Sequence, residues 1–554
     1  MGEIDFTTKS ALVVDDMANM RQTLREMLRT AGVRQIDDVA TGERAIDALA
    51  QGDYDIVLCD YNLGRGKDGQ QVLEEVRHRR LIRLSTVFIM VTAESMHHRV
   101  MGAVEHQPDD YLTKPFTPAL LAKRLERHML RRDGLRPVDQ AVSLGAYEKA
   151  VELCDQRLAN RAGNPDELMR LKLDFHLQLK QYDAAARVCH DALERHRVPW
   201  ALCGLGRVAA ARGESAQAEA AFEQAIAEFP SYMEAYDGLA EVLTARGDTE
   251  LAQAVVAQAL EISPNSVIRQ RRLGALACAN DDPLTAEAAY KRAAALGKGS
   301  VFRSHTDYAE LAKAQVQLGA PEDAIEQTLG AMRKETRGKG EAVVDAALSE
   351  STIYRQLNRE ERAAAAFQRA GDVYQDLGGA VAPHIALELG QQALAQGDTE
   401  LGMRAIQGVV RNHHDDEQIL LRAQAIFADS GMASEGDQAI RAITEEVRKK
   451  NNHGVALARR GALKEAVMLF EEVLAELRHN TTVNLNAAQV YLMMAKKGGH
   501  NEQAGAQLLE QAGACLERVR QQDPHNAKLL SLTGVLQHLE RSAVQERSGS
   551  TPPA

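Results

Sequence analysis

The spacing of apolar and polar positions changes character near residue 130. Upstream, short apolar runs alternate with amphipathic stretches. Ala11–Val14 is an apolar run that ends in two acids, and Asp55–Cys59 and Val87–Val91 are runs of the kind buried on both faces of a parallel sheet. Weaker strand signals fall at 35–40 and 110–113. Between them, Met17–Thr30 places Met20, Leu24, Met27 and Leu28 along one side of a helix. Further helical segments are expected at 42–51, 69–81, 95–105 and 118–130. Five strands alternating with five helices predict a doubly wound α/β domain over residues 1–130. Its parallel sheet would be covered on both faces. Ligands of such sheets sit beyond the carboxyl ends of the strands, at the point where strand order reverses.

Downstream, strand signals nearly vanish. Helices of 12–15 residues follow one another across short breaks that contain Gly or Asp. One unit reads Leu202, Leu205, Gly206, Ala209, Gly213, Ala218, Phe222, Ala225 and Pro230. A step of about 34 residues gives Tyr236, Leu239, Ala240, Leu243, Gly247, Ala252, Val256, Ala259 and Pro264. A further step gives Gln270, Leu273, Gly274, Ala277, Asp281, Ala286, Tyr290 and Ala293. Small residues recur where two helices approach closely, and large ones where a hole must be filled. This pattern resembles the tetratricopeptide repeat. The resemblance implies an all-α array over 141–540 of about nine or ten helix pairs, stacked into an elongated right-handed superhelix with a concave face. Residues 131–140 would be a linker, and the polar 541–554 a disordered tail.

Composition narrows the function. The hydrophobic fraction is 45%, enough to build cores, so global disorder is excluded. A formal net charge of -12 argues against bulk nucleic-acid binding. No apolar run approaches a membrane span, and residues 1–10 do not read as a signal peptide. The 6 Cys form no Cys-x-x-Cys pair and lie in apolar stretches, so they read as buried free thiols in a reducing cytoplasm. Gly297-Lys298-Gly299-Ser300 and Gly338-Lys339-Gly340 lack the full spacing of a phosphate-binding loop and read as turns. His97-His98 and His413-His414 read as solvated pairs, not metal ligands.

The chemistry lies at the predicted strand ends. Asp15 and Asp16 close the first strand, Asp60 the third, Thr92 the fourth, and Lys114-Pro115 the fifth. Three converging carboxylates repel one another and call for a cation. An oxygen-only donor set selects Mg2+, and a neighbouring Lys and hydroxyl could hold a phosphoryl group beside it.

With its acid pair, central Asp60, Thr92-Ala93, Tyr111 and Lys114-Pro115-Phe116, the segment 10–130 resembles the receiver domain of bacterial response regulators of the chemotaxis type. The resemblance implies a flavodoxin-like sheet and an Asp60 that takes a phosphoryl group from a histidine kinase or phosphotransfer protein. It further implies that Asp16, Asp60 and the Asn62 carbonyl ligate Mg2+, with Asp15 acting through water. Lys114 would pair with the phosphoryl oxygens, Thr92 would move to bond them, and Tyr111 would then rotate inward. The Lys114–Pro115 bond is expected to be cis. Gln107-Pro108-Asp109 departs from the family's usual Gly-Ala step, on the surface of the fourth helix and fifth strand.

No motif of a DNA-binding, cyclase, phosphodiesterase or phosphatase output is visible, so the array itself is the expected output. By position in the repeats, Arg207, Glu241, Arg271 and Lys313 are groove candidates, each weighed against ordinary solubilising charge. The reading is a phosphorylation-controlled adaptor whose only chemistry is Mg2+-dependent phosphorylation and dephosphorylation of its own Asp60. Its ligand would be an unidentified protein bound by the array, and a homodimer is left open. The alternative is a modulator or phosphate sink that binds a sensor kinase or a sister regulator and inhibits its signalling. A cryptic enzyme or DNA-binding regulator ranks third.

Overall fold

The computed structural model describes residues 4–64, 66–93, 108–497, 502–523 and 526–549. The helix expected at 95–105, His97-His98 and Gln107 lie outside them. The chain divides into two compact units, Met1–Glu335 and Thr336–Ala554.

The first unit opens with five strands: β1 (Ser10–Val14), β2 (Gln35–Val39), β3 (Ile56–Asp60), β4 (Val87–Ala93) and β5 (Asp110–Lys114). They form one parallel sheet in the order β2-β1-β3-β4-β5. The period-2 geometry of a strand sorts their residues between two cores. Ala11, Val13, Ile56, Leu58 and Ile89 meet α1 (Ala18–Thr30) and the Pro118–Arg132 helix. Leu12, Val14, Val57, Cys59, Phe88 and Met90 meet α2 (Gly42–Gln51) and α3 (Gly69–His78) on the other face. The order reverses between β1 and β3, so the carboxyl ends of these two strands flank the expected crevice.

The Pro118–Arg132 helix, here α4, buries Leu121, Leu125 and Met129 at a spacing of four and continues through a 3-10 turn (Asp133–Leu135) into the Arg136–Ser143 helix. The segment expected as a linker is thus helical and anchored. Leu135, Val138 and Ala141 recur every three residues and are all buried. The Asp139 carboxylate accepts bonds from the Leu84 and Ser85 amides at the start of β4, at 2.8 and 3.0 Å.

Twenty-two helices follow α4 among the described residues. The expected small-to-large packing is present in both units. Gly206 and Gly238 lie against the Phe222 ring, Gly274 against Tyr290, Gly390 against Ile406 and Gly454 against Phe470. The turns between paired helices need a left-handed residue, which glycine supplies without strain. Gly213 (φ 78) and Gly247 (φ 91) provide it, and Asp281 (φ 56) stands at the same position one repeat later.

Two boundaries differ from expectation. Ala433–Arg459 is a continuous helix of 27 residues that fuses the second helix of one pair to the first of the next. Its glycines, Gly436 and Gly454, pack against the Phe427 and Phe470 rings and make no turn, so the period slips there. The helices accordingly exceed the nine or ten pairs expected. The last helix, Ala527–Gly549, also extends into the segment expected to be irregular.

Of the six thiols, five are buried and Cys278 is partly so. Burial pushes Cys189 and Cys203 up to about 12, which makes them unreactive. His414 is buried, not solvated, and bonds Asn480 at 3.0 Å.

Candidate functional site

The carboxyl ends of β1, β3 and β5 bring four charged groups together. Asp15 follows β1 and is fully buried; its Oδ1 accepts the Met17 amide at 2.9 Å. Asp16 is next to it and exposed. The Arg21 guanidinium donates to the main-chain carbonyls of both, at 2.8 and 3.2 Å, and so fixes the turn. Asp60 ends β3 and is also buried. Carboxylate oxygens of Asp15, Asp16 and Asp60 lie within 4.8 Å of one another.

Lys114 answers part of this charge. Its Nζ is 3.0 Å from Asp15 Oδ2 and 3.0 Å from Asp60 Oδ2. Burial raises the Asp60 carboxyl, and the Lys114 ammonium and the Asn62 amide work against that rise. Burial equally opposes the charge on Lys114, but its bonds to Asp15 and Asp60 outweigh it and raise the ammonium. Three acids against one base leave a net negative pocket of hard oxygens, a donor set that fits Mg2+. The Lys114–Pro115 bond is cis.

Thr92 and Asn62 fall on the same rim, and Tyr111 lies further back along β5. Thr92 is buried and sits one residue beyond Val91, the partner of Asp60 across the β3–β4 ladder. Tyr111 pairs in register with Met90, and its half-buried ring packs on the α2–α3 side of the sheet. Burial raises its phenol, with Tyr61 adding to the rise and Arg77 opposing it. Asn62 is exposed in the segment leading to α3, where its Oδ1 accepts the Gly64 amide at 3.3 Å.

The start of α3 was not singled out as functional from the sequence, yet it bears directly on the site. Asp68 and Gln71 form a capping box there, a motif readable from D-x-x-Q before an apolar helix. Gly69 follows because its backbone lies against the Asp60 carbonyl, where a β-carbon would collide.

Each groove candidate carries an ion pair within the array. Arg207 pairs with Asp174 at 2.9 Å, Glu241 with Arg272 at 2.8 Å, and Lys313 with Glu310 at 2.8 Å. Arg271 is taken up internally. Its guanidinium holds the buried Asp307 carboxylate at 2.6 Å and the Phe302 carbonyl at 2.8 Å. The first two pairs join residues about one repeat apart, so they staple neighbouring repeats together.

Residues 11–126 match the response regulator receiver domain family, and residues 203–267 match the tetratricopeptide repeat family. The chain is 31% identical over 116 residues to chemotaxis protein CheY-3 of Vibrio cholerae, spanning 21% of this chain and 88% of that protein. It is 30% identical over 123 residues to chemotaxis protein CheY of Pseudomonas aeruginosa, spanning 22% and 98%. Among solved structures, the C-terminal part of a tetratricopeptide repeat protein from Cytophaga hutchinsonii is similar at 14% identity and a TM-score of 0.35. That similarity covers 43% of this chain and 95% of the other. Receiver domains interact with kinases or phosphotransfer proteins and in general bind Mg2+ at their acidic site, and tetratricopeptide repeats bind peptides or proteins. Among the described residues, no helix is long and apolar enough to cross a membrane. The chain belongs to the response regulator family, with its receiver domain at residues 11–126 and tetratricopeptide repeats following it.

Proposed function

We propose that the chain is a two-component regulator phosphorylated on Asp60, with the repeat array as a protein-binding output. The observation that carries this reading is the pairing of Lys114 Nζ, 3.0 Å from both Asp15 and Asp60, with three carboxylates gathered within 4.8 Å. An Asp60 Oδ would attack the phosphorus of a phosphohistidine. The P–N bond breaks, and the imidazole leaves with a proton. Asp15, Asp16, Asp60 and the Asn62 carbonyl would hold Mg2+, which when bound neutralises charge on the phosphoryl oxygens. Lys114 would meet the same developing charge from the β5 side, and Thr92 would donate its hydroxyl to the phosphoryl group. Hydrolysis of the aspartyl phosphate by water resets Asp60, and no other reaction is proposed for the chain.

The test is phosphoryl uptake by the full chain from acetyl phosphate and Mg2+, followed by intact-mass spectrometry and hydroxylamine release. Wild type should take up one hydroxylamine-labile group and Asp60→Asn none, with the repeat helices equally protected from hydrogen exchange in both. Equal labelling of Asp60→Asn would overturn the assignment. Affinity capture from cell extract with and without beryllofluoride then tests the output: a protein partner whose recovery depends on Asp60 is expected.

A further inference from the structure

The connection Gly297–His305 breaks the repeat period. The equivalent connections one and two repeats earlier are residues 263–266 and 229–232, less than half as long. The longer stretch is held firmly by its own repeats. Arg271 grips the Phe302 carbonyl and Asp307, the buried Ser300 hydroxyl accepts the Phe302 amide at 3.1 Å, and Arg303 pairs with Glu335. It contains the Gly-Lys-Gly-Ser sequence that fits no phosphate-binding loop.

What this stretch meets is the receiver. The Lys67 ammonium donates to the Gly299 carbonyl, and the Gln71 amide to the Lys298 carbonyl at 3.4 Å. The Ser300 hydroxyl donates to Glu74 at 3.1 Å. The His78 ring meets the Phe302 ring edge-on, with centroids 4.8 Å apart at 70°. Residues 67, 71, 74 and 78 follow the three- and four-residue spacing of one helical stripe, so these contacts line a single face running into and along α3. The opposite face of α3 carries Val72, Leu73 and Val76 into the sheet core, and its first residue lies against the Asp60 carbonyl. Gln71 serves both ends, since its other amide atom completes the capping box with Asp68.

We propose that Gly297–Phe302 is a dedicated docking surface for α3, and that its grip on the receiver changes with the phosphoryl state of Asp60. This rests on the reading of Asp60 given above. Asn62, the proposed carbonyl ligand, lies between Asp60 and Lys67, and the same segment carries Gly64 and Gly66 in left-handed conformations (φ 72 and 98). Reorganisation around the phosphoryl group reaches the start of α3 directly, because the Gly69 backbone lies against the Asp60 carbonyl. Coupling of this kind is reciprocal: a dock that discriminates two states of Asp60 must also bias the occupancy of those states.

The experiment uses the full chain. Hydrogen exchange of peptides covering 297–305 and α3 is measured with Mg2+ alone and with Mg2+ plus beryllofluoride. Beryllofluoride affinity is compared between wild type and the Ser300→Ala/Phe302→Ala double variant, with Lys67→Gln as an independent break of the same contact. A change of about fivefold or more in exchange at 297–305, and in affinity in the variants, is expected. Normal phosphoryl uptake with unchanged exchange and unchanged affinity would overturn the dock and leave the phosphorylation reading intact. Failure of wild type to take up a phosphoryl group or beryllofluoride would overturn both. Should the double variant fail to fold, the wild-type exchange comparison and Lys67→Gln decide.

Discussion

Replacing Lys114 with methionine separates two roles that the pocket combines. The ammonium lies 3.0 Å from carboxylate oxygens of both Asp15 and Asp60. At an effective dielectric constant near 20, each attraction is about 5 kcal/mol before desolvation, so loss of the amine leaves a buried Asp15 strongly repelled by its neighbours. A divalent cation then has more to neutralise. With one positive charge removed, Mg2+ affinity should rise, by about 1.4 kcal/mol or roughly tenfold. Phosphoryl uptake should move the other way. The charge that develops on the transferring oxygens loses a positioned cation, a deficit worth about 10²–10³ in rate. Calorimetric Mg2+ titration of Lys114→Met and its acetyl phosphate kinetics, followed by intact mass, measure the two effects in one protein. The variant should also melt lower in chelator than in Mg2+. Uptake within threefold of wild type would refute the phosphoryl-binding role. Weakened Mg2+ binding together with slow uptake would mean that Lys114 merely scaffolds the carboxylates.

Four further outcomes follow from the fold. Asp139→Ala strips a charged acceptor from the Leu84 and Ser85 amides and should cost about 2–4 kcal/mol, seen as faster exchange at the start of β4 and a lower melting point. Phe222→Ala empties the space between Gly206 and Gly238 and should cost about 3–5 kcal/mol in urea unfolding. Gly238→Ala should also destabilise, because overpacking of about 1–3 kcal/mol exceeds the gain in helix propensity of up to about 1. Burial lowers the pKa of His413, His414 and His479, so the unfolded chain binds protons first as pH falls below about 6.5. The stability of the second unit should therefore be complete above that pH and decline below it, measured by hydrogen exchange of the Thr399–Asn412 and Thr481–Lys497 helices.

The receiver was legible because its signals are local. Strands buried on both faces read as apolar runs, and the residues of the site stand at the ends of those runs. The repeat was legible wherever a glycine faces a ring, as at Gly206 and Phe222, because that pairing recurs at fixed spacing. It faded where helices fuse, since in Ala433–Arg459 the turn-type residues Asn451, Asn452 and Gly454 sit inside a continuous helix and mark no boundary. The linker escaped notice because Leu135, Val138 and Ala141 give too short a stripe to distinguish a helix from a tether. The internal role of Arg271 was hidden for a different reason. Whether Arg271 faces a ligand or Asp307 depends on how successive repeats stack, and that relation is absent from any single repeat.

Among the attachments of the receiver to its repeats, those at the start of β4 and at α3 differ in kind. At the start of β4, Leu84 packs on the Leu135, Val138 and Phe175 cluster, and Asp139 holds two main-chain amides. Separating that contact would expose apolar surface and strand buried donors, both costly. At α3 the contact consists of the Lys67, Gln71, Glu74 and His78 side chains against two carbonyls, the Ser300 hydroxyl and the Phe302 ring. Such polar contacts are worth only about 1 kcal/mol each, so parting them costs less than uncovering the apolar cluster. On the proposed reading of Asp60, a fixed apolar anchor beside a weaker polar one would let a small rearrangement there detach α3 while the receiver stays attached to the repeats. The switching boundary would on that reading lie within the first compact unit, between α3 and Gly297–Phe302, and not near residue 130.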